Sequence, residues 1–233
     1  MINEAIILAG GLGTRLRSEV PDLPKCMAPV AGEPFLAHVI NYYLRQNISR
    51  FIFSLGYKHE IIEDFLKQFY PRLNYACSVE EEPLGTGGAV LQSASLAYSE
   101  NALILNGDTF FAVDVNSLAN SHLVNRSDCT LALKTMLNSD RYGIVETNSE
   151  GRVTSFKEKQ WYAESNINGG VYILNLPTFT SLPFGNVFSF EKDYLEAYYR
   201  TGNIFGLIQD GYFIDIGIPD DYKRAQIELK EVK

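Results

Sequence analysis

Apolar and polar positions follow one rhythm in the first half of this chain and another in the second. Ala5 to Leu8 is a short, wholly apolar run that ends in glycines, which predicts a central parallel strand buried on both faces. From Pro34 to Asn47 the apolar residues Phe35, Leu36, Val39, Ile40, Tyr43 and Leu44 recur at helical spacing behind a proline suited to a first turn. Phe51–Leu55 reads as the next strand, His59–Phe69 as a helix and Tyr75–Val79 as a third strand. A glycine cluster then leads into a helix over 88–97, and Ala102–Leu105 is a fourth strand running into Asn106. This alternation predicts an α/β fold with a doubly wound sheet.

The second half holds strand-like runs at 129–136, 143–146, 153–157 and 171–174, with shorter helical pieces at 117–124 and 190–199. No linker rich in Pro, Gly or Ser separates the halves, so a single domain over 1–233 is expected.

Composition narrows the function classes. The net charge is −8, whereas a nucleic-acid binder would carry a basic face. Cys26, Cys77 and Cys129 are odd in number and far apart, without a Cys-x-x-Cys pair, so they read as reduced thiols rather than disulfides or zinc ligands. There is no signal-peptide pattern and no apolar run of membrane-spanning length, so the expected site of action is the cytoplasm, with no membrane partner.

Three constellations carry candidate chemistry. Leu8, Ala9, Gly10, Gly11, Gly13, Thr14 and Arg15 follow a buried strand, with Lys25 further on. Glycines there let backbone N–H groups surround phosphate oxygens, while Arg15 and Lys25 add cations. A Walker A loop would need Lys where Thr14 stands, and a dinucleotide fingerprint would need a third glycine at Leu16; neither fits. A tight turn flanked by solvated cations would explain the same residues.

The second constellation is Asn106-Gly107-Asp108 at the end of a strand, where α/β sheets bind ligands. Asp215 lies inside an apolar run before Gly217 and Pro219, a costly place for a carboxylate with no partner. Together Asp108 and Asp215 would offer hard oxygen ligands suited to Mg²⁺. The third is Glu80 to Glu82 followed by Gly85-Thr86-Gly87-Gly88, which suggests another close backbone approach to a ligand. Glu81 and Glu82 read as a solvated run, and so does Lys157-Glu158-Lys159 when taken alone.

In order along the chain, Gly10 to Leu16 with Pro24-Lys25, Leu84 to Gly88, Asn106 to Asp108, Phe156 to Lys159, Asn168 to Gly170 and Asp215 to Gly217 resemble the sugar-nucleotidyltransferase family, the nucleotide-diphospho-sugar pyrophosphorylases. The resemblance covers essentially the whole chain. It implies a Rossmann-like mixed, mostly parallel sheet flanked by helices. Residues 1–115 would mainly bind nucleotide and 116–233 mainly sugar phosphate. The segments Pro24 to Pro29, Gly56 to Glu60, Leu105 to Phe111, Asp140 to Gly143 and Tyr212 to Gly217 resemble, within the family, guanylyltransferases of a heptose 1-phosphate. Cys26 departs from the proline that the family usually carries there.

The implied partners are GTP and a sugar 1-phosphate, the implied cofactor Mg²⁺, the product a GDP-sugar for bacterial surface glycans. Arg15, Lys25, Asp108 and Asp215 would be catalytic, the two aspartates holding the metal. Leu8 to Gly11, Gly13, Thr14, Glu80, Gly85, Thr86 and Asn106 would bind nucleotide. Tyr142, Gly143, Glu158, Lys159, Asn168 and Gly169 would meet the sugar phosphate. A mannose 1-phosphate guanylyltransferase, a uridylyltransferase of an amino-sugar phosphate and a non-catalytic sugar-nucleotide sensor are the competing readings. The aromatic-rich stretches also allow a homodimer.

Overall fold

The computed structural model describes residues 2–11, 16 and 19–231. Strand β1 (Glu4–Leu8) is parallel to β4 (Arg50–Leu55) on one side and to β6 (Asn101–Asn106) on the other, and β4 is parallel to β5 (Asn74–Val79). Two-residue strands β2 (Pro29–Val30) and β3 (Glu33–Pro34) form a separate hairpin, and β7 (Thr109–Phe111) follows β6. The second half adds β8 (Cys129–Ser139), β9 (Ile144–Thr147), β10 (Val153–Lys157), β11 (Tyr162–Asn175) and β12 (Ile204–Ile208) to the same sheet. β11 runs antiparallel to β6 and to β8, so it joins the parallel half to the added strands. The last strand, β13 (Phe213–Asp215), pairs with β7 outside this sheet.

Side chains alternate across the pleat and so divide the core in two. Ile7, Phe53 and Leu105 face helices α1 (Phe35–Arg45), α2 (His59–Phe69), α4 (Val115–Val124) and α7 (Pro219–Glu228). Their neighbours Ile6, Ile52 and Ile104 face α3 (Gly85–Ala94), α5 (Leu176–Thr180) and a π-helical turn, Phe190–Leu195, that runs into α6 (Glu196–Tyr198). Sequence fixes several of these ends locally. Asp114 caps α4 by accepting from the N–H groups of Asn116 and Ser117 at 3.0 and 3.1 Å, and Asn175 caps α5 through Thr178 N–H at 2.9 Å.

The central strands, α1, α2 and the start of the added sheet follow the sequence reading. Three differences have physical causes. Helix α3 begins at Gly85, three residues before the expected Gly88, because the N–H of Gly87 bonds to Phe188 O at 2.9 Å and the Phe188 ring fills the space where a Gly87 side chain would stand. Tertiary packing here overrides the poor helix propensity of three glycines. β11 extends through Asn168, Gly169 and Gly170, where the sequence suggests a break. These residues form a bulge, with Gly170 at φ +70° and the register against β8 shifted between Asn168 and Tyr172. No element is expected over β12, β13 or α7: the strands are short, and α7 is polar around most of its circumference.

Candidate active site at the carboxyl ends of the central strands

β1, β4, β5 and β6 all end at one side of the sheet, and their carboxyl ends open onto a cleft of about 930 Å³. Leu8, Ala9, Gly10 and Gly11 line it after β1, Ser54 and Gly56 after β4, Glu80 after β5, and Asn106, Gly107 and Asp108 after β6. Gly85 and Thr86 enter from the start of α3. The predicted nucleotide-side residues therefore meet, except Gly13 and Thr14, which with Arg15 lie outside the described residues.

The cleft floor is held by backbone bonds between neighbouring strand ends. Ala9 N–H donates to Ser54 O at 2.8 Å, Gly107 N–H to Leu8 O at 2.9 Å and Glu80 N–H to Leu55 O at 2.8 Å. Glu80 is fixed by the N–H of Leu84, which donates to Oε2 at 3.0 Å. A carboxylate has about four acceptor positions, so Glu80 keeps capacity for a ligand.

Asp108 and Asp215, 107 positions apart, come together through the β7–β13 ribbon, in which Thr109 pairs with Asp215 and Ile216 N–H donates to Asp108 O at 3.0 Å. Lys25 arrives on a 3-10 turn, Lys25–Met27, behind Pro24. Its Nζ lies 2.5 Å from Asp108 Oδ2 and 3.6 Å from Asp215 Oδ1. Asp215 Oδ1 also accepts from Gly217 N–H at 2.7 Å. A β-carbon on Gly217 would fall 2.7 Å from that oxygen and 2.9 Å from Lys25 Nζ, so a side chain there would displace the carboxylate or the ammonium. Cys26, beside Lys25, is buried, and burial together with the Asp108 charge pushes its thiol up to about 12. It is not a thiolate nucleophile.

The nucleotidyl transferase profile matches residues 4–232. The chain belongs to the nucleotidyl transferase family. Its sequence is 49% identical to the D-glycero-alpha-D-manno-heptose 1-phosphate guanylyltransferase of Aneurinibacillus thermoaerophilus, over 97% of this chain and 98% of the relative. The enzyme of the same name from Campylobacter jejuni is 42% identical over 94% and 96%. The crystal structure of HddC from Yersinia pseudotuberculosis complexed with GMP-PN superposes with a TM-score of 0.88 at 36% identity, covering 97% of this chain and 99% of that one.

In this nucleotidyl transferase the predicted sugar-side residues are more dispersed. Tyr142 packs edge-on against Phe213, with ring centroids 5.8 Å apart, two residues before Asp215. Burial, and secondarily the Asp215 charge, pushes its phenol up to about 12. The neighbouring Arg141 bonds to buried Asp221 of α7 at 2.5 Å, tying the β8–β9 connection to the segment that carries Asp215. Gly143 follows directly. Asn168 is occupied within its own bulge: Nδ2 donates to Tyr172 Oη at 2.8 Å and Oδ1 accepts from Gly170 N–H at 3.0 Å. Gly169 is buried against the Phe111 ring. Glu158 and Lys159 sit on the exposed turn after β10, outside the lining of the cleft.

Sequence reasoning gives no site role to several residues that line the cleft, among them Ser54, Gly56, Tyr57, His59, Val79 and Ala89. Ser54 lies in an unremarkable strand and its only signal is its place at the strand's end, whereas Gly56 belongs to the Gly56–Glu60 segment that carries part of the resemblance. His59 reads as an ordinary helical residue, yet it lines the cleft. The other two histidines are committed elsewhere, His38 to Val30 O and His122 to Thr130 and Asn101.

Proposed function

We propose that this chain transfers GMP from GTP to D-glycero-α-D-manno-heptose 1-phosphate, releasing pyrophosphate and forming the GDP-heptose. The observation that carries the reading is the convergence of Lys25, Asp108 and Asp215 at a cleft that Lys25, Asp108 and Glu80 line. The similarity to two heptose 1-phosphate guanylyltransferases along nearly their whole length supports the choice of substrates.

Members of this family generally use a divalent metal, and the residues present fit one. Two carboxylates supply hard oxygen donors, and the Lys25 ammonium already lies within 4 Å of both, so the arrangement accommodates positive charge. Asp108 and Asp215 would hold the ion, Mg²⁺ in our reading. When bound, it supplies Lewis-acid neutralisation of phosphate charge.

The chain's own residues do the rest. Backbone N–H groups of the Gly10–Gly11 turn face the phosphates, and Lys25 provides a cation for the charge that builds up on them. An oxygen of the sugar 1-phosphate forms a bond to the α-phosphorus, while the bond from that phosphorus to the α–β bridging oxygen breaks and pyrophosphate leaves. The attacking oxygen is ionised at neutral pH, so no general base is needed, and the chemistry reduces to positioning and charge neutralisation. Glu80 accepts from the N1–H and exocyclic amine of guanine; a uracil ring offers one imide N–H instead. The setting we assign is the cytoplasm, where GTP is made; among the described residues no helix is long and apolar enough to cross a membrane.

The test is a substrate matrix: GTP, UTP and dTTP, each with heptose 1-phosphate and mannose 1-phosphate, read as pyrophosphate release with and without EDTA. GTP with heptose 1-phosphate should be fastest, and EDTA should stop it until excess Mg²⁺ is restored. Equal or faster turnover with UTP would end the guanylyl assignment.

A further inference from the structure

A polyhydroxylated sugar needs hydrogen-bond acceptors, and the charges at the cleft mouth are already engaged with one another. A carboxylate from outside the recognised motifs stands close by. Glu191 lies on the π-helical turn Phe190–Leu195, and π-helical turns often mark functional sites. Its Oε2 accepts from Thr86 Oγ1, a cleft-lining group, at 2.7 Å and from Ser189 Oγ at 3.1 Å. Thr86 Oγ1 in turn accepts from Phe190 N–H at 2.9 Å. The carboxyl group is thus fixed in place by one oxygen. The other oxygen, Oε1, accepts no hydrogen bond from the described residues, and Glu191 is only partly buried.

Glu191 lies between the start of α3, to which Thr86 ties it, and the β11 bulge, which it approaches through Phe190. Phe190, its neighbour, packs against Tyr172 with ring centroids 5.0 Å apart, and Tyr172 holds Asn168. Burial raises the Tyr172 phenol, and the negative charges of Glu191 and Asp108 add to that, so both carboxylates bear on this one side chain. Glu80 follows β5 and is held by Leu84 N–H just before α3, whereas Glu191 reaches α3 one residue inside it, at Thr86. A fixed negative charge next to the sheet end would repel a triphosphate but accept readily from a hydroxyl.

On this basis, and resting on the transferase reading above, we infer that Glu191 is a specificity-determining residue of the sugar subsite, accepting a hydrogen bond from a sugar hydroxyl through Oε1 while Thr86 fixes Oε2.

The experiment measures steady-state kinetics of the wild type, E191A, E191Q and T86V with GTP and heptose 1-phosphate, with thermal melting of each protein as a check on folding. We expect E191A to raise KM for the sugar phosphate at least tenfold with KM for GTP within twofold. E191Q, nearly isosteric and still an acceptor, should raise it several-fold, and T86V less than E191A. Among monodeoxy sugar phosphates, one should lose as much with the wild type as the full substrate loses with E191A, and E191A should not distinguish that analogue from the full substrate. If both Glu191 variants keep the wild-type KM for sugar phosphate, or if KM for GTP rises in parallel, the assignment is wrong. A wild-type protein that makes no GDP-sugar would instead overturn the transferase reading, and this inference with it.

Discussion

The ammonium of Lys25 lies 2.5 Å from Asp108 Oδ2, across 83 positions of sequence. The contact joins the 3-10 turn Lys25–Met27, just before β2, to the residue that follows β6 by two positions, beside the cleft in which a triphosphate would lie. Lys25 is about nine-tenths buried, so its charge acts where water screens little.

Replacing Lys25 by Met keeps the length of the side chain and removes the charge. We expect kcat to fall about 10²–10³-fold, the loss that removing one preorganised charge-stabilising group produces. Pyrophosphate release under saturating GTP and sugar 1-phosphate measures it. A kcat within threefold of wild type would remove Lys25 from the chemistry.

Gly217 offers a steric test of the same cluster. In Gly217→Ala the new carbon meets Asp215 Oδ1 and Lys25 Nζ at under 3 Å, so the carboxylate or the ammonium must move. Overpacking of this kind costs about 1–3 kcal/mol, and displacing the charged groups should lower kcat at least tenfold. Urea unfolding and turnover, measured on the same preparation, separate the two effects. Full activity would mean that the Asp215–Gly217 turn has room to spare.

His122 predicts a pH dependence of stability. It is buried, and burial lowers its pKa to about 4 from the usual 6.5, opposed in part by the Asp128 charge. Asn101 Oδ1 also accepts from Asn175 Nδ2, so His122 Nε2 carries the proton donated to Asn101, and Nδ1 accepts from Thr130. Between pH 6.5 and 4 the unfolded chain takes up a proton at this site that the folded chain does not. The stabilisation is complete above pH 6.5 and is lost as pH falls towards 4, by at most roughly 3 kcal/mol. Urea midpoints of wild type and His122→Gln should therefore converge on acidification. Parallel curves from pH 7 to 4.5 would refute this.

The N-terminal half of the fold was legible because each element there announces itself locally. β1 is apolar throughout, α1 has a clear stripe, and Asn106 to Asp108 closes a buried strand. Asp108 and the glycine turn could be placed at one strand-end surface from the fold class alone. What pattern could not supply is the pairing of distant segments. That Gly87 serves Phe188 rather than a ligand depends on a segment about a hundred residues away. The bulge at Asn168–Gly170 reads as a break because bulge and turn use the same residues. Glu191 is one acidic residue among several on a polar turn, and only the hydrogen bond to Thr86 sets it apart.

The β7–β13 ribbon also has a consequence for biosynthesis. Asp108 is in place as soon as β6 can pair, whereas Asp215 is added by a three-residue strand near the far end of the chain. During translation the parallel sheet can therefore form, and its glycine turn can take shape, long before the second carboxylate exists. The emerging polypeptide passes through a stage that holds the proposed nucleotide cradle but lacks half of its proposed cation clamp, and the proposed chemistry waits for the last stretch to leave the ribosome.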